Sequence, residues 1–183
     1  MNKASIKEKY LIYKVRQNKD AEAYGELYDF YVDRIYRFIF FKVRTREEAE
    51  DITSEVFLKT WEYVNKTDKK IDNLNALFYR IARNAVIDYY RSKSKDANLI
   101  DEDQMLLIEE KRNIREEVEV SLDIENLQPY LLKLKDTYRE VIILKYIEEF
   151  SIKEISSIID KSSGNVRVLL HRALAALKEI IEK

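Results

Sequence analysis

The clearest arrangement of side chains that could do chemistry lies near the C-terminus. Ser151 and Glu154 have the spacing of a capping box, in which each side chain caps the backbone of the other at a helix start. An apolar helical face follows, then a turn at 160–162 in which Ser162 is placed to cap a second helix. A longer apolar stripe completes the pattern, formed by Val166, Leu170, Ala173, Leu174, Leu177 and Ile181.

A short helix, a three-residue turn and a long second helix describe a helix-turn-helix, whose second helix lies in the major groove of DNA. The same pattern also fits two packed helices of a bundle that makes protein contacts. The charge distribution does not decide between them. Residues 1–95 hold 20 Lys and Arg against 15 Asp and Glu, residues 96–126 hold 3 against 11, and residues 127–183 hold 10 against 8. Basic blocks flanking an acidic stretch are a weak sign of a polyanionic partner.

The composition predicts an all-α fold. Two glycines and one proline in 183 residues are too few for many tight turns, whereas 46% hydrophobic residues are ample for a packed core. With no cysteine, disulfides and thiolate metal sites are excluded. No apolar run approaches the length of a membrane span, so we expect a cytoplasmic protein without membrane insertion.

An enzyme is disfavoured by the same residues. A carboxylate-bridged di-iron bundle needs Glu-x-x-His pairs on facing helices, but the single histidine, His171, has Val168 three residues before it. The chain also lacks a cysteine nucleophile and a glycine-rich phosphate loop. We therefore expect no catalytic residue, no metal site and no cofactor.

Hydrophobic periodicity predicts helices over about 6–17, 21–43, 46–64 and 74–91 in the N-terminal half, with a loop over 65–73. Thr45 and Glu48 have the spacing of a capping box before the third of them. Residues 96–121 are acidic and lack a sustained apolar face, which favours a linker. Four further helical patterns begin near Ile124, Asp136, Ile152 and Ser162. The predicted domains are 1–95 and 122–183.

Two longer stretches carry a resemblance to a known family. AEDITSEVFLKTWEYV (49–64) and NALFYRIARNAVIDYYRSKSK (75–95) resemble region 2 of the sigma-70 family of RNA polymerase sigma factors, and residues 134–179 resemble its region 4. Their order, with only a short acidic spacer between them, is similar to the extracytoplasmic-function (ECF) subfamily. The resemblance implies two small helical domains: a region 2 bundle and a region 4 helix-turn-helix.

The resemblance also implies partners. Core RNA polymerase would be bound through its clamp coiled coil and its flap, and an anti-sigma factor would hold the protein inactive. The clamp would contact Asp51, Glu55 and Lys59, which share one face of a helix.

Promoter DNA is the third implied partner. Opening the minus-ten element needs planar surfaces for unstacked bases and cations for the backbone. The matching residues are Tyr79, Arg80, Arg83, Asn84, Asp88, Tyr89, Arg91, Lys93 and Lys95. Among them, Asn84 and Asp88 align with the pocket for a flipped base.

The minus-thirty-five element would be read by the second helix of the helix-turn-helix. The matching residues are Ser162, Ser163, Gly164, Asn165, Arg167, Val168, Leu169, His171 and Arg172. The two apolar members, Val168 and Leu169, could touch a thymine methyl or a protein partner. Because of these two residues, an alternative to a sigma factor stays open: a helix-turn-helix regulator that binds DNA but does not replace the housekeeping sigma factor.

Overall fold

A computed structural model describes residues 3–67, 71, 73–96 and 126–182. Within these ranges every regular element is helical, as the composition predicts. The expectations of an acidic linker and of a helix start near Ile124 fall outside the described residues. The helices are α1 (Lys3–Asn18), α2 (Ala21–Phe40), α3 (Arg46–Lys66), α4 (Leu74–Asp96), α5 (Gln128–Leu132), α6 (Asp136–Ile142), α7 (Ile152–Ile159) and α8 (Ser163–Ile181).

Helices α1 to α4 form an N-terminal bundle whose boundaries are set by caps. The Asp20 carboxylate accepts from the backbone N–H of Ala23 at 3.0 Å and starts α2. Thr45 and Glu48 form the predicted capping box at the start of α3. Three boundaries differ from the predictions by three residues or more: α1 begins at Lys3, three residues early, α2 ends at Phe40, three residues early, and α4 continues to Asp96, five residues late.

Aromatic side chains hold the bundle together. Phe78 of α4 stacks on Tyr31 of α2 with ring centroids 4.5 Å apart, and Phe57 of α3 lies 5.2 Å from Phe78. All three are buried, and such ring pairs add to the stabilisation that burial itself provides. One cluster thus joins the two helices, α3 and α4, that carry the predicted partner surfaces.

Helices α5 to α8 form a C-terminal bundle. Helix α6 continues as a π-helical turn over Ile143–Ile147. The capping box of Ser151 and Glu154 is confirmed, as is the cap of Ser162 at the start of α8. Between α7 and α8, Asp160 adopts the left-handed conformation with φ 54°, which aspartate tolerates better than most residues. The helix-turn-helix geometry is therefore present.

The apolar stripe predicted for α8 is only partly correct. Val166, Leu170 and Ala173 are buried, but Leu174 and Ile181 are 41% and 52% exposed. The buried face of α8 continues instead through Leu177 and Ile180, which are half-buried and pack on the core. Leu174 and Ile181, seven residues apart, lie together at the edge of that face.

Candidate polymerase and nucleic-acid interfaces

Helix α3 presents the predicted polymerase contacts to solvent. Asp51, Glu55 and Lys59 are all exposed and are spaced by four residues, so they form one stripe, which we call the docking stripe. Within it the Lys59 ammonium pairs with the Glu55 carboxylate at 2.6 Å. An exposed pair of this kind contributes little to stability, so its side chains can exchange partners at low cost.

Beside the docking stripe lies an apolar recess that the sequence analysis missed. Phe57 and Trp61 form its floor: Phe57 is buried, and the Trp61 ring packs edge-on against Tyr24 at 4.9 Å. Trp61 is half-buried and packs against the core. Leu58 stands at the edge of the recess and is 59% exposed. The cavity measures about 350 Å³, and an exposed leucine between Phe57 and Lys59 was the signal for it.

The nine residues predicted to contact the minus-ten element are not equally accessible. Tyr79 is buried, Arg83 and Tyr89 are half-buried, and the side chain of Lys95 lies outside the described part of the chain. The exposed members are Arg80, Asn84, Asp88, Arg91 and Lys93.

Tyr79 is the clearest departure. Its side chain is 0% exposed, and its hydroxyl donates to Glu148 Oε2 of the C-terminal bundle at 2.5 Å. The ring packs edge-on against Phe38 at 5.1 Å and Phe150 at 4.8 Å. Burial raises the pKa of the Tyr79 hydroxyl, and the negative charge of Glu148 raises it further. In this arrangement Tyr79 cannot receive a base, because Glu148 and Phe150 cover it.

Arg83 is held in the same interface. Its Nε donates to Glu140 Oε2 at 3.1 Å, while the other Glu140 oxygen receives the fully buried Lys42 ammonium at 3.0 Å. The Lys42 ammonium also lies 3.4 Å from Asp136. The two bundles are thus joined through charged groups separated by 57 to 98 residues in sequence, a pairing that no local pattern predicts.

The far half of α4 is uncovered. Asn84 and Asp88 are exposed one helical turn apart, as the flipped-base assignment requires. Lys93 is less free, because its ammonium lies 2.5 Å from Glu48 at the start of α3 and over the Tyr89 ring. Burial opposes ionisation of Glu48, but Lys93 and backbone N–H groups outweigh it and lower the pKa of the carboxyl to about 2.

Helix α8 offers most of its predicted contacts to solvent. Ser162 caps the helix by accepting from the Asn165 N–H at 3.2 Å, and Ser163 is half-buried. Leu169 is half-buried and packs on the core, so it is not a free surface residue. Val168 is 49% exposed. The other exposed members are Gly164, Asn165, Arg167, His171 and Arg172.

Two further observations apply to the described residues as a group. No helix among them is both long and apolar enough to cross a membrane. They also contain no cluster of three or more His, Asp or Glu side chains that could hold a metal ion.

Solved structures with the same fold include CnrH in complex with the cytosolic domain of CnrY, with TM-score 0.72 and 18% identity over 96% of this chain and 97% of that one. The sigma factor RpoE in complex with the anti-sigma factor NepR from Bartonella quintana gives TM-score 0.70 and 22% identity over 86% of this chain and 96% of that one. At these identities the likeness concerns the fold alone.

Sequence similarity is more specific. The protein-family model for "Sigma-70 region 2" matches residues 27–96, and the family model for "Sigma-70, region 4" matches residues 124–177. The chain is 34% identical to the ECF RNA polymerase sigma factor SigW of Bacillus subtilis, over 87% of this chain and 89% of SigW. It is 30% identical to SigM of the same organism, over 86% of this chain and 94% of SigM. The chain therefore belongs to the ECF sigma factors of the sigma-70 family.

Proposed function

We propose that the protein binds core RNA polymerase in the cytoplasm, directs it to specific promoters and helps to open their minus-ten element. The protein supplies binding energy and strand capture, and the polymerase performs the chemistry, so the protein is not an enzyme. The observation that carries this proposal is the similarity to SigW and SigM over nearly their whole length. We place the region 2 domain at 1–95, the acidic linker at 96–121 and the region 4 domain at 122–183.

Polymerase binding is assigned to the docking stripe of Asp51, Glu55 and Lys59. All three are exposed, and they are charged groups that a polar coiled coil can pair with. Leu58, exposed one turn after Glu55 on the same side of α3, adds an apolar contact beside them. A charged stripe next to a small apolar anchor is a common composition for a protein interface, in which the anchor supplies affinity and the charges supply orientation.

Strand opening is assigned to α4. Asn84 and Asp88 would hydrogen-bond the edge of a flipped base, while Arg80 and Arg91 lie on the same exposed helix and would neutralise phosphates. Tyr79 and Arg83 join them only after the C-terminal bundle has moved away. Substituting Asn84 by Ala should weaken promoter opening in a sequence-dependent way, by about 1–3 kcal/mol, whereas Arg91→Gln should weaken it uniformly.

The minus-thirty-five element is assigned to α8 and the turn before it. The exposed Asn165, Arg167 and Arg172 provide hydrogen-bond donors, and Val168 provides an apolar contact for a thymine methyl. Gly164 has no neighbour closer than Ser162 Oγ at 3.9 Å from where a Cβ would lie. Its lack of a side chain thus serves no internal packing and leaves room for a DNA backbone.

An anti-sigma factor is the further partner we propose. RpoE has the same fold and is described in complex with the anti-sigma factor NepR. A protein of this kind would bind both bundles of the chain and keep the docking stripe from the polymerase.

Co-purification with core polymerase in the absence of DNA tests the proposal. We expect the chain to form a stoichiometric complex, measurable by size exclusion and by fluorescence titration. A chain that binds DNA through α8 but does not bind core polymerase would instead be a helix-turn-helix regulator that does not replace the housekeeping sigma factor.

A further inference from the structure

Two glutamates of the C-terminal bundle are buried against the N-terminal bundle. The side chains of Glu140 and Glu148 are 3% and 0% exposed. Glu148 accepts from Arg37 Nε at 2.8 Å, from Arg34 Nε at 3.4 Å and from the Tyr79 hydroxyl. With the two cations on Glu140, these carboxylates hold together four basic side chains, Arg34, Arg37, Lys42 and Arg83.

The chemistry of this contact makes it reversible. A buried carboxylate is costly unless it is paired, and here both carboxylates are paired well, so the closed arrangement is stable. Yet the free energy needed to desolvate these charged groups roughly cancels the attraction between them. If the bundles separated, water would hydrate each group, so opening the contact costs little free energy. Phe150 supplies an apolar contact, packed on Tyr79 and 5.6 Å below the Arg34 guanidinium. Such an interface can hold the bundles together without locking them.

The covered surface has the composition of a single-strand binding site. Such sites combine cations that follow the phosphate backbone with aromatic rings on which bases stack. Arg34, Arg37 and Arg83 are the cations and Tyr79 is the ring, and all four are joined through the two glutamates. Tyr79 and Arg83 already belong to the predicted minus-ten contacts. The carboxylates of Glu140 and Glu148 are anionic groups paired with this surface, as the phosphates of a bound strand would be.

We propose that Glu140 and Glu148 form a clasp that competes with the opened promoter strand for this basic surface, to which Arg34 and Arg37 belong. The closed arrangement is then self-inhibited for strand binding, and strand capture requires the clasp to open. This inference rests on the proposed function. It adds two DNA-binding arginines on α2 and assigns an inhibitory role to the C-terminal bundle.

The test uses the full chain without polymerase. Because the chain has no cysteine, Asp29→Cys and Glu182→Cys can be labelled selectively for energy transfer between the bundles. The probe is a fluorescein-labelled, A·T-rich 20-nucleotide single strand, titrated by anisotropy at several salt concentrations. The clasp variant is Glu140→Gln with Glu148→Gln. Its control is Glu62→Gln with Glu179→Gln, which removes the same charge from exposed positions of the two bundles.

We expect the clasp variant to separate the labels and to bind the probe about tenfold more tightly. This is the change expected if the fraction of molecules in the open, binding-competent state rises from about a tenth to nearly all. The control variant should leave the label separation unchanged, and its affinity for the probe should change only by the small amount that removing two surface charges produces. Unchanged separation in the clasp variant would overturn the proposal. Separation without tighter binding, or equal tightening in the control, would also overturn it.

A second pair of substitutions distinguishes competition from simple opening. Arg34→Gln with Arg37→Gln removes the ion pairs of Glu148 from the other side and leaves those of Glu140 in place, so it should separate the labels as far as Glu148→Gln alone does. It should nevertheless fail to tighten probe binding, and its salt slope should fall by about 0.7 per arginine. If it binds the probe as tightly as the clasp variant, Arg34 and Arg37 are not strand contacts and the proposal fails.

Folding and the proposed function are controlled separately. Circular dichroism should show native helicity in each variant. Binding to core polymerase is measured independently in the same preparations. Loss of polymerase binding by the unmodified chain would refute the proposed function, whereas the label and anisotropy results decide on the clasp.

Discussion

Two surfaces of the N-terminal bundle differ sharply, although one aromatic cluster supports both. The docking stripe on α3 is exposed to solvent, whereas Tyr79 and Arg83 in the first half of α4 are held against the C-terminal bundle. The helices themselves are packed together through Phe57 and Phe78 at 5.2 Å. Accessibility on this bundle is therefore set by the other bundle and not by the local helix pattern.

The difference orders the events in our account. In the closed arrangement a polymerase can reach Asp51, Glu55 and Lys59, but an opened strand cannot reach Tyr79. We therefore propose that docking on polymerase precedes strand capture. Substitutions in the shared core should affect both surfaces, whereas substitutions within one surface should affect that surface alone.

The largest expected effect comes from removing the common support. Phe78→Ala deletes a fully buried ring that touches Tyr31 and Phe57, and should destabilise the protein by about 3–5 kcal/mol. Both surfaces should be lost together in urea unfolding followed by helicity. Leu58→Ala, at a 59% exposed position of the same bundle, is the control and should hardly change stability. A loss below about 1 kcal/mol for Phe78→Ala would contradict a shared core.

The next effect is specific to the open surface. Replacing Asp51, Glu55 and Lys59 together by Ala should weaken binding to core polymerase by about 2 kcal/mol or more, the size of an interface hot spot. Unfolding should be almost unchanged, since the three side chains are exposed. The matched control replaces Lys7, Glu26 and Asp29, which carry the same charges on exposed positions of α1 and α2 and likewise include one ion pair, Lys7 with Glu26 at 2.9 Å. Equal losses in the two variants would show that bulk charge, and not the stripe, directs docking.

A smaller effect concerns the bundle that covers α4. Asp160 occupies a left-handed conformation with φ 54°, which costs an ordinary residue about 1–2 kcal/mol. Asp160→Ala should therefore lower the thermal midpoint, and Asp160→Gly should leave it equal or raise it. Both variants lack the carboxylate, so the difference between their thermal midpoints reports the cost of the left-handed backbone conformation alone. If Asp160→Gly is no more stable than Asp160→Ala, that conformation does not carry the expected cost.

The smallest effect concerns the contact of Glu48 with Lys93, which joins the start of α3 to the end of α4. The folded pKa of Glu48 is about 2, below its ordinary value of 4.5. The Glu48 carboxylate, held by Lys93, Tyr89 and the backbone N–H groups of Arg44 and Thr45, thus stabilises the fold at pH values above 4.5, and this contribution is lost as the pH falls from 4.5 towards 2. The stability difference between the unmodified chain and Glu48→Gln should shrink over that window in urea melts. A difference constant with pH would contradict the assignment.

Sequence reasoning predicted what depends on neighbours along one helix. The capping boxes at Thr45 and Ser151 and the turn at Asp160 all follow from spacings of a few residues, and all are present. The family followed from two motifs in the correct order. These features could be predicted because their physical causes are local.

Contacts between the bundles could not be predicted in the same way. Glu140 binds Arg83 and Lys42, which lie 57 and 98 residues from it in sequence. Glu148 binds Tyr79, which lies 69 residues from it. Tyr79 carries an aromatic ring and a hydroxyl, so its residue type suits a base or a buried carboxylate equally well. Only the packing of the two bundles shows which one it meets here.

Run-off transcription with purified core polymerase tests the central claim most directly. We predict that adding the chain gives discrete transcripts from a subset of genomic promoters, and that Asn84→Ala with Asp88→Ala abolishes them while polymerase binding remains. No gain in specific initiation across a genomic promoter library, by a chain that binds the polymerase, would contradict the account.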